Sequence, residues 1–401
     1  MGKKISCKLK RYNLNQTSLM IKLIISILKL NTKIEINKPL QKDFLLYDDI
    51  SAFLSIYLKE NSYEILFTRF ERLNLYVLFM SLFLFKKERF STKYILTFIK
   101  YTNPKVIITF NHNKISFYKI KRHFNKIKTI SVQNGTTNFS SNRSFEVNIR
   151  ENQKKLLNMN LECDHFFVIN KRSEIMFSKF IKANYIKAGS FKSNMCPINK
   201  LKQFNKNINY ISQYSNDIVN YRNNFNAIEA IVVKNVVNLC EKLNVRCQIY
   251  LRWGDKIEKN YFISILKNKL KFVDFIFISN KENAMKFSFL DQAELTVFTD
   301  TTLGYEMAAR NKKVCIIAAR DQLLMKPEHR RGHYGLDEEV FENEGVFWVN
   351  RFENESQIYN KIESVYNLPL NKLVISYNEN KDCLFFKDIN NSKFRNLINE
   401  I

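Results

Sequence analysis

The stretch Thr299-Asp300-Thr301-Thr302-Leu303-Gly304-Tyr305-Glu306 follows the apolar run Leu295 to Phe298 and leads into helix-compatible residues. A strand, a hydroxyl-rich turn and a helix start together suit an anion. The first-turn N–H groups of the helix lack internal partners and carry the positive end of its dipole. Thr301 or Thr302 can cap that helix, with Asp300 in the turn, Glu306 on the first turn and Tyr305 beside it as a further donor-side candidate. Gly304 permits close approach of a ligand, and Glu306 can accept hydrogen bonds from ribose or sugar hydroxyls. The same residues also fit a plain capped helix in which Asp300 and Glu306 complement the dipole. Arg252, ending the run Arg246 to Leu251, offers a charge that could neutralise a departing phosphate, or it stacks on Trp253.

The elements that must position these residues alternate along the chain. Short β-branched or apolar runs at Lys105 to Phe110, Ile127 to Val132, His165 to Ile169 and Tyr185 to Ala188 are expected strands. The second half repeats the rhythm at Ile208 to Ser212, Arg246 to Leu251, Val273 to Ile278, Leu295 to Thr299 and Val314 to Ala318. Between the first two of these, Ile228, Ile231, Val232, Val236, Leu239 and Leu243 recur at helical spacing. The alternation predicts an α/β fold with parallel strands in two Rossmann-like lobes. The boundary is expected near residues 190 to 206, giving lobes 1–190 and 191–401. Glycine is nearly absent before Gly135, so the first third is expected to be largely helical. Gly135, Gly189, Gly254 and Gly304 each fall just past an expected strand, the edge where open α/β sheets hold ligands.

Lys and Arg outnumber Asp and Glu, 64 to 38, for a net charge of +26. That favours anionic partners, although a Lys- and Asn-rich composition bias produces the same excess. The seven cysteines form no Cys-x-x-Cys pair, so neither a zinc site nor a disulfide framework is expected; they read as buried small hydrophobes in a reducing compartment. The start Met1-Gly2-Lys3-Lys4 lacks a signal-peptide succession, and a cytoplasmic location is expected. The most apolar run, Leu73 to Phe85, lies between Arg72 and Lys86-Lys87. It is too short to span a bilayer and is read as a buried helix, with interfacial membrane contact as the alternative.

The segment from Thr299 to Glu306, continued by Ala309-Arg310-Asn311-Lys312-Lys313-Val314, resembles the surface carbohydrate biosynthesis protein family and its D-S-T-L-G-Y-E-A-L-A-R-G-K-K-V signature. Thr301 stands for Ser, Met307-Ala308 for Ala-Leu, and Asn311 for Gly. Pro104 to Thr109, Ser131 to Thr136, Ala188 to Asn194 and Tyr210 to Gln213 match as well, so the resemblance covers roughly residues 45 to 350. His112 departs from it, standing where the family favours Asp. The resemblance implies a GT-B-like organisation, two lobes facing a central cleft, and a glycosyltransferase that works on surface polysaccharide. Gln133, Asn134 and Gly135 would lie on the acceptor side, while Gly189, Ser190, Ser212 and Gln213 would join the donor site. The polar loop Arg320 to Gly335, with His329, Arg330, Arg331, His333 and Tyr334, would border that site, and Gly345 to Trp348 matches a late aromatic segment in which Trp348 reads as core.

Glycosyl transfer needs a base for the acceptor hydroxyl and positive potential for the leaving phosphate. Candidate bases are Asp164, Asp217 and His112, each near an expected strand end. With no Asp-x-Asp motif, no metal or other cofactor is expected, and helix N-termini and arginines would take the metal's place. The expected partners are a nucleotide-sugar donor, a glycan or lipid-linked glycan acceptor and peripheral contact with anionic membrane, with no nucleic acid. Two other classes compete. One is a catalytically inactive scaffold of polysaccharide assembly; the other is a nucleic-acid-binding protein, with 19 Tyr and 34 Phe for stacking but no nucleic-acid motif.

Overall fold

The computed structural model describes residues 33–69, 71–136, 158–198, 205–214, 226–279, 282–299, 301–318 and 344–401. Two six-stranded parallel sheets dominate them, with one small parallel ribbon besides. Each long sheet is built from four-residue cores such as Val106–Thr109 and Val314–Ile317, every residue of which is buried. A strand covered on both faces needs no polar alternation, so it reads as a continuous apolar run.

By compactness the chain divides into two units: one up to Phe110 together with Ile120–Thr129, the other Asn111–Lys119 together with Ile130 onward. In the first, β1 (Lys33–Glu35) pairs in parallel with β4 (Arg72–Asn74). There β2 (Phe44–Tyr47) lies between β3 (Tyr63–Leu66) and β5 (Val106–Thr109). Helices α1 (Leu75–Met80) and α2 (Phe90–Thr102) complete it. The expectation of a largely helical first third is therefore corrected. Phe44-Leu45-Leu46-Tyr47 is a short apolar run, and period alone does not separate a buried strand from a buried helix turn. Glycine scarcity misled for a second reason. Asparagine does glycine's work here: α2 ends on Asn103 at φ 45°, in the left-handed region that Asn tolerates better than other side chains.

The strand β6 (Lys128–Val132) begins in the first unit and ends in the second, where it leads to β7 (Leu161–Val168) and β8 (Ile181–Lys187) in one parallel ladder. Helix α3 (Lys171–Ser178) connects these two strands, and α4 (Phe191–Asn194) follows β8. The second sheet contains β9 (Asn205–Ile211), β10 (Cys247–Tyr250), β11 (Val273–Ile276), β12 (Ala293–Phe298), β13 (Val314–Ile317) and β14 (Trp348–Val349). Its spatial order is β11-β10-β9-β12-β13-β14, which in chain order is 3-2-1-4-5-6, the doubly wound Rossmann arrangement. Helices α5 (Ala227–Leu243), α6 (Lys256–Leu266), α7 (Asn283–Leu290), α8 (Thr302–Ala309) and α9 (Glu355–Asn367) surround it. α10 (Leu370–Glu379) and α11 (Ser392–Asn399) close the chain. The strands expected in the second half are all present, Trp348 is core, and α5 buries Ile228, Val232, Val236 and Leu239 as its spacing predicts.

The run Leu73 to Phe85 is not a buried helix. It comprises the end of β4, the six residues of α1 and a turn, and only part of it faces inward. Among the described residues no helix is long and apolar enough to cross a membrane. The six described cysteines are unbridged and buried.

Candidate functional site

In a 3-2-1-4-5-6 sheet the chain leaves in opposite directions from strands 1 and 4, and the crevice at their carboxyl ends takes the ligand. Here those strands are β9 and β12, so the switch point brings Ser212-Gln213-Tyr214 beside Thr299-Thr301-Thr302. Two buried glutamates, neither singled out by the sequence reading, hold that edge. Glu229, on the first turn of α5, accepts from Tyr210 Oη at 2.6 Å, from the Gln213 amide at 2.8 Å and from Thr299 Oγ1 at 2.7 Å. It therefore ties the end of β9 to the end of β12. Glu258, on the first turn of α6, accepts from Ser212 Oγ at 2.6 Å and from the backbone amides of Arg252 (2.8 Å), Trp253 (2.8 Å) and Gly254 (3.1 Å). A carboxylate inside a cage of N–H groups satisfies donors that a tight turn would otherwise leave orphaned. Asp255 caps α6 through the Glu258 amide, and the Glu258 side chain reaches past that cap to the preceding loop.

This cage settles several positions. Ser212 is buried with its hydroxyl committed to Glu258, and the Gln213 amide is committed to Glu229. Arg252 and Trp253 project to the surface, the guanidinium stacked over the indole with its carbon 5.0 Å from the ring centroid. Gly254 has φ 67°, and a Cβ there would lie 2.4 Å from the Phe277 ring.

At the start of α8, Thr301 occupies the N-cap position with extended backbone, yet its hydroxyl caps nothing, which corrects the expected side-chain cap by Thr301 or Thr302. The Thr302 hydroxyl turns to the opposite loop instead. It accepts from the Thr136 amide at 3.2 Å and lies 3.0 Å from Thr136 Oγ1. A Cβ on Gly135 would approach Thr302 Oγ1 to 3.0 Å, so glycine is what lets the loop after β6 come this close to α8. Acceptor-side and donor-side candidates, Gly135 and Thr302, are thus brought together. Gln133 is buried and fully used: its amide nitrogen donates to the Gly135 carbonyl and Ser173 Oγ, and its oxygen accepts from the Ile169 amide. It shapes the loop, and neither of its amide N–H groups is left for a sugar. The Asn134 amide donates to His112 Nδ1 at 3.3 Å. Burial pushes the His112 imidazole down to about 3, so the ring is neutral and serves the loop as an acceptor.

One helical turn further, Ser190 Oγ donates a short hydrogen bond to Glu306 Oε1. Glu306 is 5% exposed, and burial raises its pKa against the opposing influence of that hydroxyl, of Lys192, Lys286 and Arg310. A cavity of about 320 Å³ opens there, lined by Ser190, Asn194, Glu306, Arg310, Phe385 and Lys387 among others. Gly189, at φ 77°, sits against the chain's last segment; a Cβ would come 1.8 Å from the Phe386 carbonyl oxygen. Arg310 pairs with Asp291 through both carboxylate oxygens, and it donates to the carbonyls of Cys196 (3.0 Å) and Pro197 (2.9 Å).

Two donor-site expectations find a different cause. Tyr305 is fully buried, edge to face with Phe298 and stacked on Phe385, so it belongs to the core. Gly304 serves packing, because a Cβ would sit 2.4 Å from the Phe298 ring, and glycine lets α8 lie on β12. Asn311 explains the departure from the signature's glycine: its φ of 56° is left-handed, which Asn supplies. Asp164 lies in mid-strand on β7, half-buried, and not near a strand end as expected. Strand β7 starts four residues earlier than its apolar run suggested. Asp217, Asp300 and the basic loop with His329, Arg330, Arg331, His333 and Tyr334 lie outside the described residues. Among the described residues no cluster of three or more His, Cys, Asp or Glu is arranged to hold a metal.

The fold is that of an α/β protein with Rossmann-like parallel sheets and a strand switch point between β9 and β12. Residues 130–401, more than half of the chain, match a family described as "putative O-antigen biosynthesis protein", and the chain belongs to that family. No curated protein matches it. Solved structures similar to it include a glycosyltransferase from Rickettsia africae ESF-5, with 10% identity over 90% of this chain and 98% of that one, at a TM-score of 0.48. A UDP-GlcNAc 2-epimerase from Methanocaldococcus jannaschii gives 10% identity, coverages of 92% and 100%, and a TM-score of 0.49. A UDP-forming trehalose-phosphate synthase from Burkholderia xenovorans gives 10%, 90% and 98%, and 0.47.

Proposed function

We propose that this chain is a metal-independent glycosyltransferase of O-antigen-type polysaccharide synthesis, transferring a sugar from a nucleotide-sugar donor to a glycan or lipid-linked glycan acceptor. One observation carries the reading: the β9/β12 switch point sets the N-terminus of α8 against the Gly135-Thr136 turn. In this reading the donor's phosphates lie over the Thr301-Thr302 amides, where the helix dipole favours negative charge. Arg252, held out by the Glu258 cage, supplies the cation for the leaving phosphate. Ser190 and Glu306 take the donor's sugar or ribose hydroxyls at the neighbouring cavity, and Asn134 and Gly135 face the acceptor. Lobes 1–190 and 191–401 would serve acceptor and donor respectively. The membership of an O-antigen biosynthesis family supports the substrate class.

A second reading is donor binding without turnover, as in a scaffold protein. It is favoured by the bases: His112 is buried with a strongly depressed pKa, and Asp164 is mid-strand. Thermal-shift titration with a panel of nucleotides and sugar nucleotides tests both, because a ligand preferring the folded state raises the melting temperature. The proposal expects one nucleotide class to stabilise the protein and Arg252→Ala to lose that stabilisation and any sugar transfer. Stabilisation by none of the panel sinks the donor site; stabilisation with no transfer to lipid-linked or free glycans selects the scaffold.

A further inference from the structure

The stretch from Leu73 to Phe85 divides cleanly into an anchored side and an open one. Leu73, Val77 and Ser81 are fully buried. Asn74 locks the entry: its side chain accepts from the Val77 amide at 2.9 Å and donates to the Asn37 carbonyl at 2.8 Å, and its own amide donates to Tyr94 Oη at 3.0 Å. On this fixed base Leu75, Phe79, Leu82 and Phe83 stand 38, 59, 47 and 56% exposed. The Phe79 and Phe83 rings meet edge to face at 5.2 Å, so they form one apolar tip. Strand β1, paired to β4 just before α1, adds Ile34, and Ile36 follows directly after it, both also exposed.

The rim of this patch is basic. Lys86, Lys87 and Arg89 follow directly and are exposed, while the one acid among them, Glu88, faces His123 Nε2 at 3.4 Å. On the other flank Lys38 sits over the Tyr101 ring, which packs on Tyr76 of α1. Clustered exposed apolar side chains are a liability in water unless something covers them. Large apolar tips with lysines and arginine at their edge match the two layers of an anionic membrane surface, acyl chains below and phosphates above. The net charge of +26 draws the whole chain to the same surface.

We infer that this face docks on an anionic lipid bilayer, with Phe79, Leu82 and Phe83 entering the interface and Lys86, Lys87 and Arg89 on lipid phosphates. This stands independently of the sugar chemistry and survives if the donor site fails. The test is sedimentation of the full chain with phosphatidylcholine vesicles, with and without phosphatidylglycerol. The expected result is binding that requires phosphatidylglycerol and weakens with salt. Phe79→Ser combined with Phe83→Ser should cut partitioning by about tenfold or more, and Lys86→Glu with Lys87→Glu by roughly fivefold per lysine, without lowering the melting temperature. Phe79→Trp gives a second readout that avoids polar replacement: its emission should shift to the blue on vesicles and be quenched by brominated lipid, above the signal of Trp253 and Trp348. Failure of the wild type to sediment with anionic vesicles overturns the inference. So does wild-type binding by the Phe double variant, or a wild-type dimer that this variant dissociates with no vesicle binding, which would assign the face to a second copy.

Discussion

Glu306 holds a carboxyl that burial raises above its ordinary range, although Ser190, Lys192, Lys286 and Arg310 all favour its charge. A raised carboxyl stabilises the fold below its unfolded value of 4.5, and that contribution is lost as pH climbs through the folded value. Glu306→Gln keeps an acceptor for the Ser190 hydroxyl and removes the charge. Its melting temperature should gain on the wild type from pH 4.5 to pH 8, while donor binding falls, in thermal melts with and without ligand. His112 works in the opposite sense. Its pKa falls from 6.5 to about 3, so its contribution is full above 6.5 and drains away as pH drops toward 3. His112→Gln, which retains an acceptor but does not titrate in this range, should flatten that acid limb; an unchanged slope would show that other groups control it.

At the scale of elements, the carboxyl edge of the second sheet is arranged by two buried carboxylates, Glu229 and Glu258. Removing the Glu258 side chain would orphan the amides of Arg252, Trp253 and Gly254 together with the Ser212 hydroxyl. Each unsatisfied buried group costs about 1–3 kcal/mol, less whatever water recovers. Glu258→Ala should therefore cost about 3 kcal/mol or more in urea unfolding and release Arg252 from its placement; a cost under about 1 kcal/mol would mean the loop is held by other contacts. Glu229 makes the corresponding tie between β9 and β12. Both residues were legible only as first-turn acids on helices, and nothing in the spacing told which loop each would reach.

At the scale of the molecule, the chain's end belongs to the fold of its middle. Phe394 of α11 packs edge to face on Phe167 of β7 and Phe191 of α4, at 5.3 and 5.2 Å. Asn391 and Asn194 bond side chain to side chain at 2.8 Å, and Asn391 also donates to the Phe191 carbonyl. Deleting residues 392–401 would bare these rings, and burying a Phe is worth about 1.5–3 kcal/mol. The shortened chain should lose about 3 kcal/mol or more in urea unfolding; an unchanged midpoint would make α11 dispensable.

The amino-acid sequence alone determined the α/β class, five of the six strands of the second sheet, the amphipathic α5 and the segment from Thr299 to Glu306 as a place of interest. Those features are local: parallel strands covered on both faces must be apolar throughout, and a helix against a sheet must repeat near 3.6 residues. Tertiary structure decided the rest, because it depends on which residues meet across distance. It alone showed that Gly304 and Tyr305 serve packing, that the Thr302 hydroxyl turns to Thr136, and that Gln133 is consumed by its own loop. It also decided the direction of the apolar run from Leu73 to Phe85. Hydrophobicity along a chain does not say which side chains a fold will cover, and here Val77 goes in while Phe79 and Phe83 stay out.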